Sequence, residues 1–325
     1  MPQPSISYAC GRIGVLRSAA LHGAQLERLM AAHTYEEARR TLADIGFASN
    51  EEMDFQLAAE MRVKKACELV EAVTPEPELT DCFLLRYDIH NLKVLLKSRF
   101  LAQKPEYLST CGSIKVELLK HAVTERRYNA LHPILKAALD ALEKRQAKEF
   151  DPMQIDADLD RAMYLMIFDK LKRVNVKAVK RYFTTKVDLQ NYIIALRLKA
   201  MGKGADFLNK LFLPGGVIAL EKFQKAYDEP DQLAKLIKPY GDKLYHAAVL
   251  CASDAGKLPL MERTVDDALF GLFGNTKYQT ASIEVLISYL LSAQREATDV
   301  RLVMAGKLNG FQQAELEERV RELHG

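Results

Sequence analysis

Residues 86–99 read RYDIHNLKVLLKSR, and residues 186–199 read KVDLQNYIIALRLK. Laid on each other without a gap, Asp88 falls on Asp188, Asn91 on Asn191, Lys97 on Arg197 and Arg99 on Lys199, each pair 100 residues apart. In the first copy Leu85, Ile89, Leu92, Leu96 and Phe100 recur every three or four residues, which is one apolar face of an α-helix. A third and weaker copy, EATDVRLVMAGK at 296–307, lies 108 residues beyond the second. There Glu296 takes the aspartate place, Asp299 the asparagine place and Lys307 the final basic place.

The segments ahead of the copies also rhyme. ERLMAAHTYEEARRTL at 27–42, ELLKHAVTERRYNAL at 117–131 and LEKFQKAYDEPDQLAKLI at 220–237 each combine an apolar helix end, a Thr or Asp cap and a charged amphipathic helix. The chain therefore divides into three helical repeat units, 1–104, 105–205 and 206–325. Their period is too long for a common solenoid, whose repeats run about 20–50 residues. The expected fold is all-α, with three homologous units around a pseudo-threefold axis and a funnel-like central cavity.

Composition supports helices throughout. Only 16 glycines and 11 prolines occur in 325 residues, and strong helix formers dominate. No segment alternates apolar and polar residues with a strand's period of two. The one Asn-Gly pair, Asn309-Gly310, follows a helical run and reads as a helix stop. Thr34 and Glu37 have capping-box spacing ahead of a helix through Ile45. Asn50, followed by Glu51 and Glu52, opens a helical pattern running to about Val73. Pro75 and Pro77 break the chain, and Thr80 and Asp81 open the next helix through Phe100. Asp228-Glu229-Pro230 places a proline in a first helical turn.

The charge balance, 46 basic against 43 acidic residues, makes no electrostatic case for a nucleic-acid partner. Five scattered cysteines without a CxxC pair argue against a disulfide framework or a zinc site and fit a reducing compartment. Met1 to Ser7 lack the basic-then-apolar pattern of a signal peptide. The most apolar runs, 164–168 and 285–291, fall short of the ~20 residues that span a bilayer, so at a membrane another protein of a complex would have to hold this chain.

The repeated pairs Asp88/Asn91, Asp188/Asn191 and Glu296/Asp299 admit two readings. They line the hollow and meet a partner, or they tie neighbouring helices within their own unit. The second is favoured, because repetition is what a within-unit role produces and because buried polar groups need partners. Catalysis is disfavoured: an active site needs one asymmetric constellation, and this pair occurs three times. The histidines (His22, His33, His90, His121, His132, His246 and His324) form no HExxH pair, and neither phosphate-loop nor dinucleotide fingerprint is present. No catalytic, cofactor-binding or metal-ligating residue is expected. Basic clusters at 170–186 and 199–210 read as solvated helix faces, rather than as contacts for acidic loops or lipid headgroups.

RYDIHNLKVLLK at 86–97 resembles the signature helix of the V/A-type ATPase C-subunit family, whose eukaryotic members are called d. DLQNYIIALRLK at 188–199 resembles the family's second such helix, and LISYLLSAQREATDVRLVMAGKLNG at 286–310 the third. Tyr8 to Arg12 fit its usual start. The resemblance implies a non-catalytic, three-part funnel on the cytoplasmic face of the membrane, peripheral and part of a complex. Its implied partners are the coiled coil of the central stalk with its small companion, and the proteolipid rotor ring. It would use no cofactor, bind no nucleic acid and make no membrane span. Torque would pass through it between ATP chemistry and proton or sodium transport. Residues that could meet these partners are Asp88, Asn91, Arg99, Asp188, Asn191, Arg197, Lys199, Glu296, Asp299 and Arg301. The competing expectation is a free-standing cytoplasmic helical-repeat adaptor that binds proteins.

Overall fold

Helix-forming composition and 3.6-residue periodicity carry through to the backbone. The computed structural model describes residues 5–17, 20–146, 150–174, 176–274, 281–321 and 323. Among them are sixteen α-helices and no strand. After α1 (Ile6–Arg17), two short helices, α2 (Gly23–Ala31) and α3 (Tyr35–Asp44), precede two long ones, α4 (Phe55–Val73) and α5 (Pro77–Phe100). The order recurs in α6 (Val116–Glu125), α7 (Pro133–Gln146), α8 (Pro152–Arg173) and α9 (Lys177–Ala200). After the one-turn α10 (Leu208–Leu211), it recurs with an extra break as α11 (Leu220–Ala226), α12 (Pro230–Lys235), α13 (Asp242–Ser253), α14 (Leu258–Gly271) and α15 (Ile283–Leu308). A final short helix, α16, covers Gln313–Glu317.

Local chemistry explains the helix starts, with two departures from expectation. The Thr34 hydroxyl accepts the Glu37 N–H at 3.1 Å, while the Glu37 carboxylate reaches back to the His33 N–H at 2.8 Å. Asn50 does not open α4. Its Oδ1 accepts the Glu52 and Met53 N–H groups in a separate turn, and Asp54 caps α4 by accepting from Gln56 and Leu57. Asp54 prevails because it stands directly before Phe55, the first buried apolar residue of the run. Pro77 begins α5 rather than breaking the chain, because a proline at the first helical position needs no N–H partner and already has a helical φ. Pro230 starts α12 as its spacing predicts.

The helix ends reveal the repeat more clearly than the sequence does. Ala102, Gly202 and Gly310 have φ of +52°, +66° and +75°. The next residue's N–H donates five residues back in each case: Gln103 to Ser98 at 2.8 Å, Lys203 to Leu198 at 2.9 Å and Phe311 to Gly306 at 2.9 Å. This left-handed cap satisfies the last helical carbonyls. Asn309-Gly310 therefore stops α15 as expected, and the third copy shares its cap with the other two. Only Ala102 carries a Cβ there. Ala102→Gly is expected to stabilise the chain by about 1 kcal/mol, read as a higher urea midpoint; a lower midpoint would contradict the strain argument.

The chain forms two compact units, one of residues 1–77 with 256–325 and one of residues 78–255. In the first, α15 lies along α4 and α1. The C-terminal half of α15 supplies Val300, Val303 and Met304 to a core shared with Leu26 and Leu29 of α2, Leu42 of α3 and Leu316 of α16. In the second, α5 and α8 run antiparallel. Ion pairs Asp81–Lys170 (3.1 Å), Lys93–Asp160 (2.6 Å) and Lys97–Asp156 (2.6 Å) link them, with numbers rising along one helix as they fall along the other. Phe83 of α5 and Phe183 of α9, equivalent positions of the first two copies, stack with ring centroids 4.8 Å apart, and Tyr182 lies 5.3 Å from Phe83.

Candidate functional site

Six residues of the repeated pairs are buried, five of them with no exposed surface. In the first two copies their hydrogen bonds run to the chain that follows each signature helix. In the first copy, the Asn91 amide donates from Nδ2 to the Ser109 carbonyl (2.8 Å) and accepts the Ser109 N–H on Oδ1 (2.8 Å). Asp88 accepts the Ser113 N–H (3.0 Å), the Ser113 hydroxyl (2.8 Å) and the Ile114 N–H (3.0 Å). In the second copy Asn191 makes the same two-way bond with Leu213, at 3.0 and 2.8 Å. Asp188 accepts the Val217 N–H (2.9 Å), the Ile218 N–H (3.1 Å) and the Tyr240 hydroxyl.

Each helix thus folds the next loop back onto its own side, using an amide that reads one residue's backbone and a carboxylate that gathers two successive N–H groups. In both copies a glycine stands just before the first donating N–H, where the backbone passes against the carboxylate. A Cβ at Gly112 would sit 2.0 Å from Asp88 Oδ1, and one at Gly216 would sit 2.0 Å from Asp188 Oδ1. Gly216→Ala is therefore expected to cost about 1–3 kcal/mol by forcing the loop off its carboxylate, measured by chemical denaturation. Burial pushes the Asp88 carboxyl up to about 6, against the opposing pull of its N–H and hydroxyl donors.

The basic residues at the helix ends extend the tie. Arg99 donates to the Val123 carbonyl (2.6 Å) and pairs with Glu143 (2.5 Å). The equivalent Lys199 donates to the Tyr227 carbonyl (2.6 Å) and lies over that ring. Arg197 is exposed on α9, and Arg301 donates to the Gln56 side chain of α4 at 3.0 Å.

The third copy departs from this pattern. Glu296, 2 % exposed, meets the Arg62 guanidinium from α4 in a two-pronged pair, Nε to Oε2 at 2.7 Å and Nη2 to Oε1 at 3.1 Å. Asp299 accepts the Arg321 N–H on Oδ1 at 3.2 Å, at the same separation of 22 residues that joins Asn191 to Leu213. Arg62, Glu296 and Tyr289 also line a cleft of about 560 Å³ with Leu21, Phe47 and Met61.

The structure brings both members of the pair onto the following loop in the first two copies, and only Asp299 in the third. Sequence reasoning missed the partners Ser113, Gly112, Gly216, Tyr240, Arg62 and Arg321. A signal existed for the glycines, since STCGSI at 109–114 and LPGGVI at 213–218 place Gly and Ile at matching spacings after the helix. Among the described residues no group of three His, Cys, Asp or Glu side chains is arranged to hold a metal ion, and no helix is long and apolar enough to cross a membrane. His324 lies outside the described residues.

The described residues form an all-helical protein with a helix-to-loop tie made in full in two repeats and altered in the third, and comparison with known proteins specifies the class. A match to the ATP synthase (C/AC39) subunit family runs over residues 9–319. The chain belongs to that family, the C subunits of the V/A-type ATP synthases. It is 20 % identical to the A-type ATP synthase C subunit of Thermococcus gammatolerans, over 97 % of this chain and 90 % of that one. It is 22 % identical to the V-type sodium ATPase C subunit of Enterococcus hirae, over 83 % of each. With the V-type ATP synthase C subunit of Thermus thermophilus it shares 23 % identity, over 80 % of this chain and 79 % of that one.

Proposed function

We propose that this chain is a non-catalytic rotor part of its ATPase, joining the central stalk to the proteolipid ring and passing torque between ATP chemistry and ion movement. The family match along nearly the whole chain carries this reading. The repeated ties support it. A coupling part must transmit force without unfolding, and loops bonded to buried carboxylates, together with close-packed interiors, resist deformation. The proposed arrangement is three units, 1–104, 105–205 and 206–325, around a pseudo-threefold axis that encloses a funnel. Contact between Phe83 and Phe183 is compatible with it, since equivalent residues of two repeats meet where a rotation axis relating them passes close by.

On this reading the partners are the stalk's coiled coil with its small companion and the ring, met at the cytoplasmic face. Asp88, Asn91, Asp188, Asn191 and Asp299 act on those partners by shaping loops and Glu296 by tying α15 to α4, while the exposed Arg197 and the partly exposed Arg99, Lys199 and Arg301 are the direct contacts. The test is affinity purification of the tagged chain from detergent-solubilised membranes of its own cells. Recovery with the ATPase's nucleotide-binding subunits and proteolipid supports the proposal. A chain that stays wholly soluble and unassociated overturns it in favour of a free-standing adaptor.

A further inference from the structure

The third copy keeps the accepting half of the amide tie but replaces the amide. In the first two copies, one asparagine oxygen accepts an N–H while the amide nitrogen donates to the same residue's carbonyl. In the third, Asp299 Oδ1 accepts the Arg321 N–H in the matching register, so Oδ2 stands where the donating nitrogen stands elsewhere. That Oδ2 is buried and has no hydrogen-bond partner. The Arg321 carbonyl is the group that the repeat register sets opposite it. Two acceptors cannot bond, whereas a protonated Oδ2 reproduces the asparagine.

We propose that Asp299 works as a neutral carboxylic acid, an asparagine surrogate whose Oδ2–H donates to the Arg321 carbonyl, and that its ionisation releases the C-terminal segment.

The surroundings favour the neutral form. Asp299 has no exposed surface and, among the described residues, a single N–H donor, where Asp88 and Asp188 each have three donors. A buried carboxylate with so few donors is costly. The nearby cations are shared with other carboxylates, which make the closer pairs. Arg321 sits 2.8 Å from Asp266 of α14 and 3.7 Å from Asp299. Arg295 of α15 and Arg263 of α14 pair with Asp267 of α14 at 2.7 and 3.6 Å. Asp266 and Asp267 add negative charge on that side. From α4, Arg62 is held by Glu296, while α2, α3 and α16 contribute Leu26, Leu29, Leu42 and Leu316 to the core beside Val300. Burial accordingly pushes the Asp299 carboxyl up to about 7, despite the pull of Arg321 and Arg295.

The sign follows. A carboxyl raised from 3.8 to about 7 by folding binds its proton more tightly when the segment is docked. The stabilisation is therefore complete below pH ~4 and is lost as pH rises through about 7. Because the segment also delivers Leu316 and Val320 to the core, its release exposes apolar surface.

Hydrogen exchange of residues 311–321 in the full chain, corrected for intrinsic rates, tests this. Protection in the wild type should fall by up to about tenfold per pH unit between pH 5 and 7. Asp299→Asn should be nearly flat over that range and better protected at pH 7. Amides around Leu213, held by a true asparagine, serve as the internal reference. Equal slopes in wild type and variant overturn the proposal, and so does weaker protection of Asp299→Asn at pH 7, which would make the ionised pair with Arg321 the working form. Should the variant not fold, carbon-13 titration of the wild-type carboxyl decides instead: a midpoint near 4 overturns the proposal, and one near 7 upholds it.

Discussion

Asp188→Ala is expected to lower the unfolding free energy by about 3–5 kcal/mol, because it strands buried donors rather than merely removing a contact. The carboxylate gathers the Val217 and Ile218 N–H groups and the Tyr240 hydroxyl, and it is fully buried. Each donor left without an acceptor costs roughly 1–3 kcal/mol, part of which the loop recovers by turning toward water. Asp188→Asn keeps an acceptor in place but sets an N–H₂ against the incoming donors, so it should cost less than the alanine while remaining destabilising. Denaturant titration in parallel with Asn191→Ala would separate the two halves of the tie. A loss below about 1 kcal/mol for Asp188→Ala would mean that the loop is held by its apolar contacts and that the carboxylate only follows.

The helices and the repeated pair were legible because both are written in side chains on one strict period. Leu85, Ile89 and Leu92 mark a helix face, and an Asp with an Asn three residues later recurs at a fixed offset. What the pair holds was not legible, because its partners are chiefly main-chain groups of Ser109, Leu213, Val217 and Ile218, and every residue but proline carries the same N–H. Only Gly112 and Gly216 betray the close approach in residue type. Arg62 was invisible for another reason: 234 residues separate it from Glu296, and no local pattern encodes that distance. Pro77 was misread because a proline's effect depends on position, breaking a helix inside and starting one at the first turn.

The Arg62–Glu296 pair carries the other large expectation. Glu296→Ala should destabilise by about 3–5 kcal/mol, since it leaves a half-buried guanidinium without its carboxylate, beside a neutral Tyr289 whose ring centre lies 5.6 Å away. Replacing both partners with apolar residues of similar size, Arg62→Met with Glu296→Leu, should recover most of that loss, because burying two charges in the first place offsets much of their attraction. The double-mutant cycle measures the coupling directly, and a value near zero would sink the claim that the two charges depend on each other. The contrast between single and double variants also bears on why a glutamate stands here at all. The α4–α15 seam is antiparallel, with Arg62–Glu296 and Gln56–Arg301 as polar pairs across it. A two-pronged ion pair fits one alignment of the two helices, so its expected contribution is register rather than net free energy. The double variant should therefore unfold near the wild-type midpoint but with a broader transition, the signature of a seam that is stable without being uniquely registered.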